Sequence, residues 1–147
     1  MKRFVFVTLV AILAITTSCI KQAPAPDPAD AFVGSYTYTD NYYVRWGDDV
    51  EGTDAKTGTF TLTKVSALEV QMHSPWNTLG RITANTITFT ECPQNDSGGY
   101  VNYTFSVANL VGNQLIFTYV GTGSRRFTNG IAYPWESSGT VVATKLY

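Results

Sequence analysis

Hydrophobic and polar positions alternate with a period of two over most of this chain. The segment TGTFTLTKV, residues 57–65, places threonines on one side and Phe60 and Leu62 on the other, and NTITFTEC, residues 85–92, does the same. Threonine on one face and large apolar residues on the other is typical of a half-buried antiparallel strand. No stretch of residues 32–147 sustains a helical period, so the fold is predicted to be all-β.

Turn residues divide the alternating region into about eight strands. Short connections between successive strands predict an antiparallel up-and-down meander, and a meander of this size closes into a barrel without exposed edges. A β-sandwich has the same period-two pattern and is the alternative. The strands are predicted near residues 33–46, 57–65, 68–73, 79–83, 86–92, 100–111, 114–121 and 138–147.

Hairpin registers follow from the requirement that the apolar side chains of paired strands share one face. One predicted hairpin pairs Leu62 with Val70, and another pairs Ile82 with Ile87. A third hairpin, which turns at Gly112, needs a bulge near residues 108–109 to keep its apolar side chains together.

The first eighteen residues have the order of a secretory signal peptide. Lys2 and Arg3 form a basic start, an apolar run over residues 4–15 follows, and small residues lead to Cys19. The apolar run is too short for a stable membrane span. A cysteine directly after small residues resembles the bacterial lipobox, whose cysteine is lipidated and becomes the new N-terminus. A plain signal peptide that is cleaved near a cysteine is the alternative.

Residues 19–31 are predicted to be the lipidated cysteine and a Pro/Ala-rich tether. Prolines alternate with alanine or aspartate in this segment, which favours an extended, semi-rigid spacer. By resemblance to bacterial lipoproteins, Ile20 excludes the aspartate signal for inner-membrane retention. Lys21 and Gln22 replace the acidic run that resembles a surface-export signal in Bacteroidota. We therefore expect an outer-membrane lipoprotein that faces the periplasm rather than the cell surface.

Residues 32–147 are predicted to form one small domain. Without Lys2 and Arg3, the mature chain from Cys19 onward has eight basic residues against eleven acidic ones, a net charge of −3. Such a surface argues against nucleic-acid binding, which needs a basic stripe. Once Cys19 is lipidated, Cys92 has no cysteine to pair with, and its place at the end of a strand predicts a buried, inert thiol.

The start of this domain resembles the first strand of the lipocalins. The segment FVGSYTY, residues 32–38, has Gly34 and Tyr36 where that family has the glycine and the tryptophan of its G-x-W motif. Lys145 is the basic residue nearest to the position of the family's arginine in the last strand. Together with the lipobox, the chain resembles the small lipocalin-like lipoproteins of Bacteroidota. The resemblance implies a barrel with a ligand cavity at one end and no catalysis.

Aromatic side chains are the candidate ligand-binding groups. Inward tyrosines could stack on a sugar ring or hydrogen-bond a polar ligand, and a packed core is the alternative. Two tryptophans follow prolines in predicted turns, where each could contact a ligand or plug the barrel mouth. Strand parity also places Asp40 on the inward face of the first strand. The candidates are Tyr36, Tyr38, Trp46, Trp76, Tyr103 and Trp135.

No catalytic residue, metal site or cofactor is predicted. His73, the only histidine, lies on the polar face of its strand without the partners of a zinc site or a serine triad. The four carboxylates of residues 48–54 lack calcium-loop spacing and predict a solvated hairpin loop. Lys64 and Glu91 have inward parity near strand ends and are expected at the barrel rim.

The sequence therefore predicts a lipid-anchored envelope protein that binds a small hydrophobic or glycan ligand without catalysis. Its expected partners are the membrane, through Cys19, and that ligand. Two alternatives stay open: a filled barrel that docks an envelope protein, and a hydrolase.

Overall fold

The structure is a computed structural model that describes residues 25–47, 49–96, 99–126 and 130–147. The predicted signal peptide, Cys19 and the first half of the tether lie outside the described residues. In the described ranges, no helix has the length and apolar character that crossing a bilayer requires.

The described chain folds almost entirely into strands, which confirms the all-β prediction. One short 3-10 helix, Pro28–Ala31, precedes them. The strands are β1 (Gly34–Trp46), β2 (Asp49–Ser66), β3 (Glu69–His73), β4 (Thr78–Thr83), β5 (Thr86–Phe89), β6 (Cys92–Asp96), β7 (Gly99–Phe105), β8 (Ala108–Val111), β9 (Gln114–Arg126) and β10 (Ala132–Lys145).

Eight of these strands close into an antiparallel barrel, so the fold is a barrel and not a sandwich. The ring runs β1-β2-β3-β4-β5-β8-β9-β10, and β10 pairs again with β1. β6 and β7 prolong β5 and β8 beyond two-residue breaks, and β7 pairs with the far half of β9. The chain thus makes eight successive passes, as predicted. The end where β1 begins is called the lower end below, and the opposite end is the mouth.

The predicted registers are partly confirmed. Ile82 pairs with Ile87 as expected. Leu62 pairs with Met72 instead of Val70, because the register shifts between Lys64 and Ser66 and the turn becomes shorter than predicted. The error is two residues, so each side chain keeps its predicted face.

An extra residue is present where the third hairpin needs a bulge. Phe105 pairs with Tyr119, whereas Asn109 pairs with Ile116, so the register slips by one between them. The slip occurs at residues 106–107, two residues earlier than predicted. The Ser106 hydroxyl accepts the backbone N–H of Thr118 at 2.9 Å, and this side-chain bond satisfies a donor that the slip would leave unpaired.

Strands β2 and β10 extend further towards the mouth than predicted. β2 begins at Asp49, so the acidic segment 48–54 lies largely in a strand and not in a hairpin loop. β10 begins at Ala132, so Trp135 lies in a strand and not in a turn. The Asp, Gly and Pro residues of these segments have weak β propensity. Pairing of β10 with β9 from Ala132 and with β1 from Trp135 overrides it there, and pairing with β1 does so for β2.

Large side chains fill the barrel from the lower end to its middle. Tyr36 is fully buried, stacks on Phe60 with ring centroids 5.1 Å apart and donates its hydroxyl to the carbonyl of Phe32 at 2.6 Å. Trp76 enters from the β3–β4 loop, with ring centroids 5.1 Å from Tyr119 and 5.9 Å from Phe117. Among the described residues, the packed core therefore ends at Trp76 on the side of the mouth.

The wall around the mouth is split on one side. Among the described residues, β6 pairs only with β7, and residues 49–60 of β2 pair only with β1. The β3–β4 loop lies across the base of this split, where Gln94 Nε2 donates to the Pro75 carbonyl at 3.0 Å and Gln71 Nε2 donates to Asn77 Oδ1 at 2.9 Å. These two bonds hold Trp76 in the barrel.

The barrel core predicts a strong position effect along β9. Phe117→Ala should lower the free energy of unfolding by about 3–5 kcal/mol, because it removes a buried ring and leaves a cavity. Val120→Ala, at an exposed position of the same strand, should change it by less than about 0.5 kcal/mol. Urea unfolding of both variants measures the difference, and equal losses would contradict the described register.

Candidate binding site at the barrel mouth

The mouth contains a cavity of about 640 Å³ above Trp76. This volume lies in the range of small-molecule sites. The cavity continues into the split between β2 and β6, since Gly52 and Gln94 both contribute to it. Its lining combines aromatic rings with charged and hydroxyl groups: Tyr38, Asp40, Tyr42, Val44, Gly52, Thr53, Asp54, Lys56, Pro75, Trp76, Gln94, Tyr119, Arg125, Trp135 and Ser137.

Buried aromatic rings form the floor and one wall of the cavity. Trp76 and Tyr38 lie with ring centroids 6.2 Å apart, and Trp135, on the neighbouring strand β10, is 8 % exposed. Gly58 faces Tyr38 across the β1–β2 pair, and a Cβ at this position would lie 2.7 Å from the Tyr38 hydroxyl. A glycine is therefore required at residue 58 for the Tyr38 ring to occupy its place in the lining.

Asp40 is a buried carboxylate in this aromatic surrounding. It lies on the inward face of β1 and is 5 % exposed. The Tyr119 hydroxyl donates to Asp40 Oδ2 at 2.8 Å. Asp40 Oδ1 has no hydrogen-bond partner among the described residues. A buried acceptor without a donor costs about 1–3 kcal/mol, so a donor from a ligand or a water would stabilise this site.

Ser137 presents a second buried polar atom without a partner. It is 4 % exposed, and its Oγ accepts and donates no hydrogen bond within the described ranges. Gly139, two residues further along β10, leaves the space that the Asp40 carboxylate and the Tyr119 ring occupy, because a Cβ there would overlap both. Asp40 and Ser137 thus line one cavity on neighbouring strands.

The buried position sets the ionisation of these groups. Burial raises the pKa of Asp40 above its ordinary value, and the hydrogen bond from Tyr119 and the charge of Lys56 oppose that rise. Burial, followed by the bond to Asp40, raises the pKa of Tyr119 well above its ordinary value. Tyr119 therefore stays protonated at neutral pH and acts as a fixed donor to Asp40.

Charges around the cavity are balanced. Asp40 and Asp54 contribute two negative groups, and Lys56 and Arg125 contribute two positive ones. Lys56 is the cross-strand neighbour of Asp40 in the β1–β2 pair. The site as a whole is therefore polar without a net charge that would select an anion or a cation.

The structure separates the predicted aromatic residues into three groups. Tyr38, Trp76 and Trp135 line the cavity. Tyr36 is a core residue at the lower end, and Tyr103 packs on the rings of Trp76 and Trp135, 6.3 and 6.1 Å away, without lining the cavity. The backbone of Trp46 pairs with that of Trp135 in the β1–β10 ladder, but its side chain, like Cys19, lies outside the described residues.

Sequence reasoning missed Tyr119 and Ser137. Tyr119 shares the inward parity of Leu115 and Phe117, so the pattern of β9 contains the signal for it. Ser137 lies before the predicted start of the last strand, at residue 138, and a serine among small residues gives no sign of burial. Its position becomes evident only when β10 is known to begin at Ala132.

Other predicted chemistry lies away from the mouth or at its edge. Cys92 is buried as predicted, with Sγ 3.8 Å from the Asn77 carbonyl. His73 is exposed, and its Nε2 lies 2.9 Å from the Thr63 hydroxyl. Lys64 lies at the lower rim, and Glu91 accepts a bond from Asn102 at 3.1 Å. Throughout the described ranges, no three His, Cys, Asp or Glu side chains form a group that could hold a metal ion.

Comparison with known proteins gives no family assignment. No protein-family model and no curated protein matches the chain.

The buried carboxylate predicts a pH-dependent stability effect. Because the pKa of Asp40 is raised by folding, its favourable contribution is complete below the ordinary carboxyl value of 3.8 and is lost as the pH rises through the folded value. Asp40→Asn keeps an acceptor for Tyr119 but cannot ionise. The unfolding free energy of the wild type minus that of this variant should therefore fall as the pH rises from about 3 to 8.

Urea unfolding across this pH range measures that difference. Asp54→Asn is the matched control, because Asp54 is exposed on β2. A flat difference for Asp40→Asn, or an equal slope for both variants, would show that burial does not govern the ionisation of Asp40.

Proposed function

We propose that this protein is a lipid-anchored lipocalin-like binding module that holds the end of a small, hydroxyl-rich ligand, such as a glycan, in the barrel mouth without catalysis. The observation that carries this proposal is a pair of buried polar atoms, Asp40 Oδ1 and Ser137 Oγ, which line an aromatic cavity and have no hydrogen-bond partner among the described residues. Both atoms can accept a hydrogen bond, so the matching ligand has donors.

The lining favours a glycan over the hydrophobic ligand that the sequence also allowed. A wholly apolar ligand would displace water from Asp40 and Ser137 and leave both atoms unpaired, at about 1–3 kcal/mol each. Sugar hydroxyls can donate to Asp40 and both accept from and donate to Ser137. The apolar C–H face of a sugar ring can pack on Trp76 or Trp135, as in other aromatic sites for amphipathic ligands.

The balanced charge of the mouth supports a neutral ligand. Lys56 and Arg125 offset Asp40 and Asp54, so an anionic or cationic ligand would meet repulsion from one pair as well as attraction from the other. A neutral polyol meets neither difficulty, since its hydroxyl groups both donate to carboxylates and accept from cationic groups.

Contacts at the lower end support the lipocalin-like part of the proposal. Tyr36 and Lys145 are partners in the β1–β10 ladder. Lys145 Nζ donates to the Ala31 carbonyl at 2.9 Å, and a Cβ on Gly34 would lie 2.8 Å from Lys145 Cε. The two residues that carry the sequence resemblance, Gly34 and Tyr36, thus lie against the basic residue of the last strand. We extend the proposal to lipidation at Cys19 and to the periplasmic face of the outer membrane, which the signal sequence supports.

Docking of a protein partner is a second candidate function, which the split wall favours. β6 and residues 49–60 of β2 each have one unpaired edge in the described part of the chain. Exposed edges can accept an added strand from another protein. In this case the mouth would stay filled by water, and the partner would contact the barrel wall.

Titration with neutral oligosaccharides tests the mouth as a ligand site. A bound sugar should change the fluorescence of Trp76 and Trp135, which line the cavity. Ser137→Ala should weaken the affinity about tenfold, because it removes a buried hydrogen-bond partner worth roughly 1.4 kcal/mol. Ser138→Ala, at the neighbouring exposed position of β10, should leave the affinity unchanged.

The titration panel should contain gluco-, manno-, xylo- and chito-oligosaccharides, with calorimetry as a second readout. Equal affinities for the two serine variants would place the ligand outside the mouth. If none of the sugars produces heat or a fluorescence change, the glycan proposal fails and partner docking becomes the better candidate.

Lipidation is tested separately from ligand binding. In a bacterial host that processes lipoproteins, the wild type should incorporate an alkyne-labelled fatty acid and sediment with membranes. Cys19→Ser should lose the label and become soluble after export, while Cys92→Ala should keep the label, since that thiol is buried in the barrel. A labelled Cys19→Ser protein would contradict the anchor.

A further inference from the structure

The lower end of the barrel exposes a set of apolar side chains. Val111 is 64 % exposed and Val65 is 55 % exposed, and three further residues of this end are also exposed. Exposed apolar groups of this size that lie together mark an interaction surface more often than isolated ones do. The set, called the lower apolar face below, is Val65, Leu68, Val111, Leu146 and Tyr147.

Backbone hydrogen bonds bring these residues to one surface. Ala67, in the β2–β3 turn, accepts a bond from the N–H of Ala29 in the 3-10 helix. Lys145 donates its N–H to Asn113 in the β8–β9 turn, and Leu146 donates to Ser35 at the start of β1. The turns and chain segments that carry the lower apolar face therefore surround the point where the N-terminal segment meets the barrel.

The N-terminal segment is fixed to this same end. Lys64 Nζ contacts Asp27 Oδ2 at 2.6 Å and Asp30 Oδ1 at 2.8 Å, and Ala29 is fully buried. Asp27 lies only eight positions after Cys19 in the sequence. Eight residues span about 25 Å as polyproline helix and about 29 Å at most. A lipid on Cys19 would hold the lower end within that distance of the bilayer.

Charged side chains at the lower end cancel. Asp27, Asp30 and Glu69 are matched by Lys64, Arg81 and Lys145, and Glu69 lies opposite Arg81 in the β3–β4 pair. An electrostatic attraction to anionic lipids would need a basic excess, which this set does not have. The chemistry of this surface is therefore that of apolar contact with the interfacial region of a bilayer.

We propose that the lower apolar face docks on the lipid surface to which the chain is tethered, so that the barrel mouth faces away from the membrane. This orientation rests on the lipid anchor of the proposed function for its tether. A second copy of the chain is the competing occupant of the same surface. Docking by apolar contact also requires no change in the barrel, since the exposed side chains lie on turns and chain ends.

An environment-sensitive fluorophore at two positions tests the docking. The full chain, lipidated and carrying Cys92→Ala, is labelled with NBD at Val111→Cys or at Val120→Cys and inserted into phosphatidylcholine vesicles. We expect a blue shift and at least twofold quenching by doxyl-labelled lipid at residue 111. At residue 120, which is exposed on the barrel wall, we expect neither.

Charge substitutions give a second readout. Leu68→Asp should reduce the blue shift of a label at Val111→Cys, and Val111→Asp should reduce that of a label at Leu68→Cys. Val120→Asp should reduce neither. Replacing 30 mol % of the lipid by phosphatidylglycerol should alter the signal by less than about twofold, because the charged groups at this end cancel.

A tether that does not depend on lipidation separates the two proposals. Residues 1–18 are replaced by a hexahistidine tag, Cys19 by serine, and the chain is bound to vesicles with nickel-chelating lipid. The core cluster spans residues 29–143 and stays intact in this chain. A blue shift at residue 111 here supports docking even if Cys19 proves not to be lipidated.

Two results would overturn the docking proposal. One is an identical emission at residues 111 and 120 on membrane-bound protein, by either tether. The other is a blue shift at residue 111 that grows with protein concentration in the absence of vesicles, which would identify a second copy as the occupant.

Discussion

Pairing between the first and last strands is the constraint on which the rest of the structure depends. The β1–β10 ladder runs without interruption from Tyr36 and Lys145 to Trp46 and Trp135. It closes the ring, and it also decides which side chains meet inside. With Tyr42 opposite Gly139 and Val44 opposite Ser137, the inward residues of β10 face the upper half of β1. The mouth is built at this seam, from residues almost a hundred positions apart.

Filling of the barrel limits what the mouth can bind. Trp76 is 5 % exposed and contacts rings from both sides of the barrel, so a ligand cannot pass below it. The cavity is therefore shallow, and it opens sideways through the split between β2 and β6. A long chain could place one end on Trp76 and leave through the split. This geometry suits the terminal unit of a polymer better than a fully enclosed small molecule.

Local patterns in the sequence predict the inward face of β1 well, because burial there alternates strictly from Tyr36 to Asp40. The same alternation, divided by turn residues, also predicts the eight passes of the chain. Ser137 and the depth of Trp76 could not be predicted in this way. The start of β10 is fixed by pairing with β1 and β9. The loop of Trp76 is held by Gln71 on the preceding strand and by Gln94 on β6, and a local pattern does not show these side-chain bonds. The Leu62 register was predicted wrongly because a two-residue change of register keeps every side chain on its face, so a period-two pattern fits both pairings equally well.

The polar groups in the mouth lower the stability of the free fold, and a bound ligand could offset that loss. Asp40 could be replaced by an apolar residue at this position of a barrel whose core is otherwise aromatic and aliphatic, and Ser137 could be alanine. Two buried atoms that have no partner among the described residues oppose folding by about 1–3 kcal/mol each, whereas Gly139 leaves space for Asp40 and Gly121 leaves space for the Ser137 hydroxyl. Unpaired polar groups of this kind are typical of sites that meet their partner only when a ligand binds. A ligand with two hydroxyl groups would satisfy both atoms at once, and the same contacts that stabilise the complex would then also stabilise the fold.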